Sequence, residues 1–220
     1  RNHVVLYDPE QRCWLRFSEP VRIVQAHSLD KVLPAIHEVQ EACTGEGLHA
    51  AGFISYEAAH AFDHALVTHP PTPSFPLIWF GLYADAPSRT TLQGWTEGAE
   101  EWLAPTWEPE ISREAYNAGI NAVRSAIENG ETYQVNYTFR MRGRIAEPSG
   151  RFFARMVHGQ RAVGAAYVNT GAHAICSASP ELFYEVEGTR VRSRPMKGTA
   201  DRGMMVADDA ELAKALRRCP

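Results

Sequence analysis

Glu187-Gly188-Thr189 separates two short alternating runs, 182–187 and 190–194, and a turn that tight brings its flanking strands together antiparallel. More strand signals precede it at 163–168 and 173–177. The segment 132–141 alternates cleanly. Tyr133, Val135, Tyr137, Phe139 and Met141 share one face, and Gln134, Asn136, Thr138 and Arg140 share the other. Before that segment, Tyr116, Ile120, Val123 and Ile127 recur at helical spacing after Ser112, and Gly130 stands where a helix should stop. Helices are also predicted over 151–158 and 207–218. Antiparallel strands following a helix predict an α+β fold rather than a parallel βαβ array, with stacked antiparallel sheets and helices outside.

The first half reads differently. Ser28 or Asp30 can cap a helix over 30–43, whose apolar stripe is Leu29, Val32, Leu33, Ile36, Val39 and Cys43. Gly45 and Gly47 end it. Residues 48–56 and 77–83 read as buried strands on either side of a proline-rich stretch, 69–76, that excludes regular structure. Three regions follow: an N-terminal α/β region at 1–83, an acidic, tryptophan-containing linker at 84–111, and a C-terminal region at 112–220. The chain opens on Arg1 and stops at Pro220, and we expect it to be part of a longer protein.

Composition excludes several classes. The 220 residues carry 45% hydrophobic and 22% charged side chains, the balance of a globular domain. No apolar run approaches the roughly 20 residues of a membrane span, and no signal-peptide pattern opens the chain. Cys13, Cys43, Cys176 and Cys219 form no C-x-x-C pair, so reduced thiols in a cytoplasmic protein are expected. Residues 1–111 hold 6 Lys+Arg against 15 Asp+Glu, whereas 112–220 hold 16 against 11. An anionic ligand therefore belongs to the second half. Nucleic acid does not suit the chain, since its basic residues form no long cluster.

Nineteen of the 22 Lys+Arg residues are arginine, and the lysines are Lys31, Lys197 and Lys214. Lys197 follows a stretch that uses arginine at 190, 192 and 194. A lysine in that setting suits a side chain that must at times lose its proton, which guanidinium does not do. A free amine is neutral in only roughly 1 molecule in 10³ at pH 7, so a nucleophilic lysine needs burial or nearby positive charge.

Three segments act together: Gly130-Glu-Thr-Tyr-Gln-Val-Asn-Tyr-Thr138, Ser177-Ala-Ser-Pro-Glu-Leu-Phe183, and Arg194-Pro-Met-Lys-Gly-Thr-Ala-Asp-Arg-Gly203. In this order the chain resembles the chorismate-utilising enzymes, closest to the aminodeoxychorismate synthase component I branch, with anthranilate synthase component I next. The resemblance runs from about 112 to 203, and more weakly through Gly52-Phe-Ile-Ser-Tyr-Glu57. It implies that Lys197 attacks C2 of chorismate as the C4 hydroxyl leaves, ammonia then entering at C4 to give 4-amino-4-deoxychorismate for 4-aminobenzoate and folate. Anthranilate synthases usually carry alanine at this position. Glu181 falls on the family's general acid and base, a role that asks for a carboxyl raised towards neutrality by burial.

Gln134 stands where isochorismate and salicylate synthases place a lysine base, and an amide cannot activate water in that way. Its strand position suits a solvated face as well as a ligand-lining one. Candidate anchors for the chorismate carboxylates are the main chain at Gly198 and Thr199 and the Thr199 hydroxyl, with Arg194 and Arg202 as weaker choices. The resemblance also implies Mg²⁺, held by segments expected after residue 220, so no metal ligand is assigned. No cysteine lies in a G-x-C-x-G elbow, and ammonia is expected free or from a glutamine amidotransferase subunit. Glu57, His60, Asp63 and His64 lie close in sequence without the H-E-x-x-H order, so a packed helix is preferred to a zinc site. Val4-Val5-Leu6-Tyr7 is a poor match to the segment that marks amino-acid feedback in the family. A non-catalytic ligand-binding module is the reading from another class.

Overall fold

The computed structural model describes residues 2–95, 105–160 and 164–218. Three strands open the chain: β1 (His3–Asp8), β2 (Cys13–Ser18) and β3 (Arg22–Ala26). They precede helix α1 (Val32–Gly45), β4 (His49–Ile54), β5 (Ile78–Tyr83) and β6 (Ser88–Thr90). Next come β7 (Glu108–Pro109), α2 (Arg113–Glu128), β8 (Met141–Arg142) and α3 (Ser149–Gln160). The chain then forms β9 (Gly164–Asn169), β10 (Ala174–Ser179), the hairpin β11 (Leu182–Glu187) and β12 (Arg190–Arg194), and α4 (Val206–Arg218).

Every strand pairing is antiparallel, and the α+β expectation holds. A five-stranded sheet has the order β10-β9-β1-β2-β6, and a three-stranded sheet has the order β3-β5-β4. Alternation along the strands explains how they stack. On β5, Ile78 and Leu82 face α1 with Val24, Val32, Ala35 and Ala42. Trp79 and Tyr83 leave the opposite face and meet Val4 and Val168 of the larger sheet. Val5, beside Val4, points the other way into Phe153 of α3, Ala165 and Tyr167. The layers therefore run helix, sheet, sheet, helix. Phe153 is fully buried among Trp14, Trp95 and Tyr167, and burying such a ring contributes about 1.5–3 kcal/mol.

The larger sheet joins the two halves of the chain, because β9 pairs with β1 in the register Val4↔Val168 and Val5↔Tyr167. Strands β1, β2 and β3 are not expected from the sequence. Within the linker read at 84–111, Ser88–Thr90 forms the edge strand β6, while 96–104 lie outside the described residues, as does position 163 of the expected strand 163–168.

Two local expectations are corrected. Helix α1 starts at Val32 after a 3₁₀ turn at Leu29–Lys31, and neither Ser28 nor Asp30 caps it with a side chain. Its buried positions are Val32, Ala35 and Ala42, with Leu29, Ile36 and Val39 of the expected stripe packed against the same core, whereas Leu33 is exposed. The second correction is larger. Residues 132–140 form no strand and bend at Tyr133, and only Met141–Arg142 joins a ladder, with Glu108–Pro109. The alternation is real, but a strand also needs a neighbour to receive its N–H and C=O groups, and along 132–139 the described residues form no ladder.

Candidate active site

Helix α2 sets the position of the first motif. The Ala115 N–H donates to the Ser112 Oγ at 3.2 Å, so Ser112 caps the helix as its sequence position predicts. On the next turn Tyr116 meets Tyr137 and Phe139, with ring centroids 5.7 and 5.8 Å apart. Gly119 permits this approach, because a Cβ there would lie 2.3 Å from the Tyr137 hydroxyl. The Glu110 N–H donates to the Arg140 carbonyl at 2.9 Å, and Arg140 pairs with Glu57 at 3.4 Å. Thus 132–140 is held by side chains and its far end rather than by a ladder. Its odd-numbered residues at 137 and 139 face α2.

The other two motifs converge on that segment. Lys197 Nζ donates to Gln134 Oε1 at 2.9 Å across 63 positions of sequence. The same Nζ lies 5.7 Å from the centroid of the Tyr133 ring. One residue earlier, the Met196 N–H donates to Glu181 Oε1. Glu181 is itself set by a local turn after β10: its N–H donates to Ser179 Oγ at 3.2 Å, and that hydroxyl donates to the Glu181 carbonyl at 3.0 Å. So the structure gathers Lys197, Gln134 and Glu181 around one loop, and adds Tyr133, which the sequence reading had placed only on an apolar face. Direct adjacency to Gln134 was the signal available for it.

These side chains are exposed, as are Gly198, Thr199 and Arg194. The burial expected around Lys197 and Glu181 is therefore absent among the described residues. The reason lies in the layer they belong to. The β11–β12 hairpin is a two-stranded sheet with Phe183, Tyr184, Val186 and Val191 uncovered, Phe183 to 86%. Its turn holds Gly188 at φ 58, the left-handed region that favours glycine. On the far side of the loop, Gly198 faces Leu216 of α4.

Of the two arginines considered as anion anchors, Arg202 has a carboxylate partner and Arg194 faces none in the hairpin register, while neighbouring arginines are also paired. Arg192 bonds Glu10 and also Glu185, the latter at 3.1 Å, and the hairpin register sets Arg190 opposite Glu187. Arg202 grips Asp209 with two bonds of 2.6 Å, while the Gly203 N–H donates to the same carboxylate at 3.0 Å. Arg194, opposite Leu182, is the arginine of β12 that faces no carboxylate in the register. The Arg202 bonds, then the Gly203 N–H, hold the Asp209 carboxyl below its ordinary 3.8. A depressed carboxyl contributes stability above the unfolded value that is lost as pH falls through the folded one. Arg202→Ala is expected to raise the Asp209 carboxyl back towards that value in an NMR titration. An unchanged titration would remove the clamp from the account of α4.

Glu57 and His60 lie on a 3₁₀ helix, Tyr56–Ala61, rather than an α-helix. His60 and His64 contact each other, with Nδ1 of His64 3.4 Å from Nε2 of His60. Among the described residues no group of three or more His, Cys, Asp or Glu could hold a metal ion. These residues therefore do not furnish the Mg²⁺ site that the resemblance implies. Cys13, Cys43 and Cys176 are free thiols, and burial pushes Cys176 up to about 11, away from thiolate chemistry near neutrality. A cavity of about 1090 Å³ lies between Trp14, Leu92, Trp107 and the Phe152–Met156 side of α3, and neither Lys197, Glu181 nor Gln134 lines it. The side-chain chemistry, rather than this cavity, marks the candidate site. No helix among the described residues is long and apolar enough to cross a membrane.

Known proteins match about half of the chain. Aminodeoxychorismate synthase component 1 of Salmonella typhimurium is 29% identical over 117 residues, covering 53% of this chain and 24% of that protein. Anthranilate synthase component 1 of Thermus thermophilus is 32% identical over 114 residues, covering 51% and 24% respectively. Aminodeoxychorismate synthase of Streptomyces griseus is 32% identical over 108 residues, covering 49% and 15%. The aligned part of the chain spans a quarter or less of the length of these relatives. The profile described as chorismate binding enzyme matches residues 2–220, and the chain belongs to that family.

Proposed function

We propose that this chain carries the nucleophile and the acid/base of an aminodeoxychorismate synthase component I, which converts chorismate and ammonia to 4-amino-4-deoxychorismate and water. The observation that carries the reading is Lys197 Nζ at 2.9 Å from Gln134 Oε1, with Glu181 bonded to the adjoining Met196 N–H. In the first step the neutral Lys197 amine bonds to C2, the diene electrons shift, and the C4 hydroxyl leaves as water with a proton from Glu181. In the second, ammonia bonds to C4, the electrons shift back, and the C2–N bond breaks to release the amine. Glu181 takes up the proton that ammonia loses and is ready for another cycle.

Gln134 supplies an acceptor for the amine and no base for water, which supports amine addition over hydration. The main chain at Gly198 and Thr199, with Arg194, is assigned to the chorismate carboxylates. Mg²⁺ belongs to the family's chemistry as the resemblance has it, and no step here runs through it. Ammonia would come from a glutamine amidotransferase subunit, in keeping with the "component 1" in the relatives' names.

An anthranilate synthase is the second reading, favoured by the Thermus thermophilus relative. Product analysis of the complete protein with chorismate, Mg²⁺ and ¹⁵N-ammonium separates the two. Nitrogen at C4 of the enolpyruvyl product, with a transient protein adduct on Lys197 by mass spectrometry, is the expected result. Label at C2 in anthranilate would overturn it, and absence of any turnover would favour a non-catalytic module.

A further inference from the structure

We infer that Tyr133 is a positioning residue for the Lys197 amine, its ring face and the Gln134 amide oxygen together holding Nζ at one point beside the 132–140 segment. The inference rests on the reading of Lys197 as the nucleophile. The chain bends at Tyr133, and the Thr132 hydroxyl donates to the Gln134 carbonyl at 3.1 Å, so two adjacent side chains can be brought to one atom. Lys197 Nζ is that atom, 2.9 Å from Gln134 Oε1 and 5.7 Å from the Tyr133 centroid. The second distance is within the roughly 6 Å over which a ring face attracts a cation. Tyr137 and Phe139 pack on Tyr116 of α2, but Tyr133 is 84% exposed, so core packing does not account for its place. The geometry also has a chemical consequence. A ring face attracts the ammonium more than the neutral amine, so the contact fixes the resting side chain beside Gln134, from which position the amine reacts. The amine is thereby held in register until it becomes nucleophilic. The ring, rather than the phenol hydroxyl, makes the contact, and phenylalanine should replace it.

The test compares Tyr133→Leu and Tyr133→Phe in the complete protein by two measurements. The first is competitive acetylation of Lys197 at trace reagent, read by peptide mass spectrometry with Lys31 and Lys214 as internal references. Tyr133→Leu should speed labelling of Lys197 about two- to five-fold, the ratio an exposed cation–π contact supports, while Tyr133→Phe leaves it unchanged. The second is turnover of chorismate with ammonium. Tyr133→Leu should lower kcat about two- to five-fold with KM unchanged, and Tyr133→Phe should restore it. Equal impairment of both variants, or wild-type behaviour of Tyr133→Leu in both measurements, overturns the inference. So does altered labelling with unaltered kcat when Lys197→Ala is inactive. If Lys197→Ala instead keeps full turnover, the nucleophile reading fails by itself, and the labelling ratio alone decides whether the ring holds the amine.

Discussion

Lys197→Ala is expected to lower formation of 4-amino-4-deoxychorismate by roughly 10³-fold or more, because it removes the atom that forms the bond to C2. Lys197→Arg is the sharper variant. It keeps a positive charge beside Gln134 and Tyr133 but cannot supply a neutral amine, so it should be as inactive as the alanine form. A residue needed only as a fixed charge would tolerate arginine, as this chain does at 190, 192 and 194. Both variants should fold normally, since Lys197 is exposed and surface substitutions usually change stability by less than about 0.5 kcal/mol. Measurement of product with chorismate, Mg²⁺ and ammonium, beside thermal unfolding, keeps the two effects apart. Full turnover in either variant would end the case for a covalent lysine intermediate.

Trp79→Ala should be the most damaging core change, with a loss of about 3–5 kcal/mol in urea unfolding. Trp79 is 1% exposed on the central strand of the three-stranded sheet, where it meets Val4 and Val168 of the larger sheet. Truncation would leave a void between two sheets whose backbones are tied by their own ladders and cannot close over it. Trp107, 43% exposed, is the control, and its replacement by alanine should cost far less. A loss below about 1 kcal/mol at Trp79 would mean that the sheet–sheet contact contributes little to stability.

Local elements were legible where a segment carries its own signal. Ser112 and Gly130 bracket α2 because a cap and a stop act within a few residues. The Glu187-Gly188-Thr189 turn defines its hairpin for the same reason. Strands β1 and β2 form a local hairpin that was nonetheless missed, while the second partner of β1, β9, lies more than 150 positions away and leaves no sign in the sequence near β1. Segment 132–141 failed in the opposite sense. Its alternation describes which side chains share a face, and Tyr137 and Phe139 do lie together on Tyr116, but periodicity carries no information about a neighbouring strand.

The candidate site divides along the same line. Residue chemistry singled out Lys197, Glu181 and Gln134, since an amine, a carboxyl and an amide differ in what they can do with a proton wherever they are placed. Their meeting at one loop, the part taken by Tyr133, the engagement of Arg202 by Asp209 and the exposure of the whole group came only with the fold. Proton affinity and helix or turn preference belong to short stretches of covalent structure and can be read in order along the chain. Burial, strand pairing and ion pairing are contacts between distant residues, and their free energies are set by what else competes for the same surface.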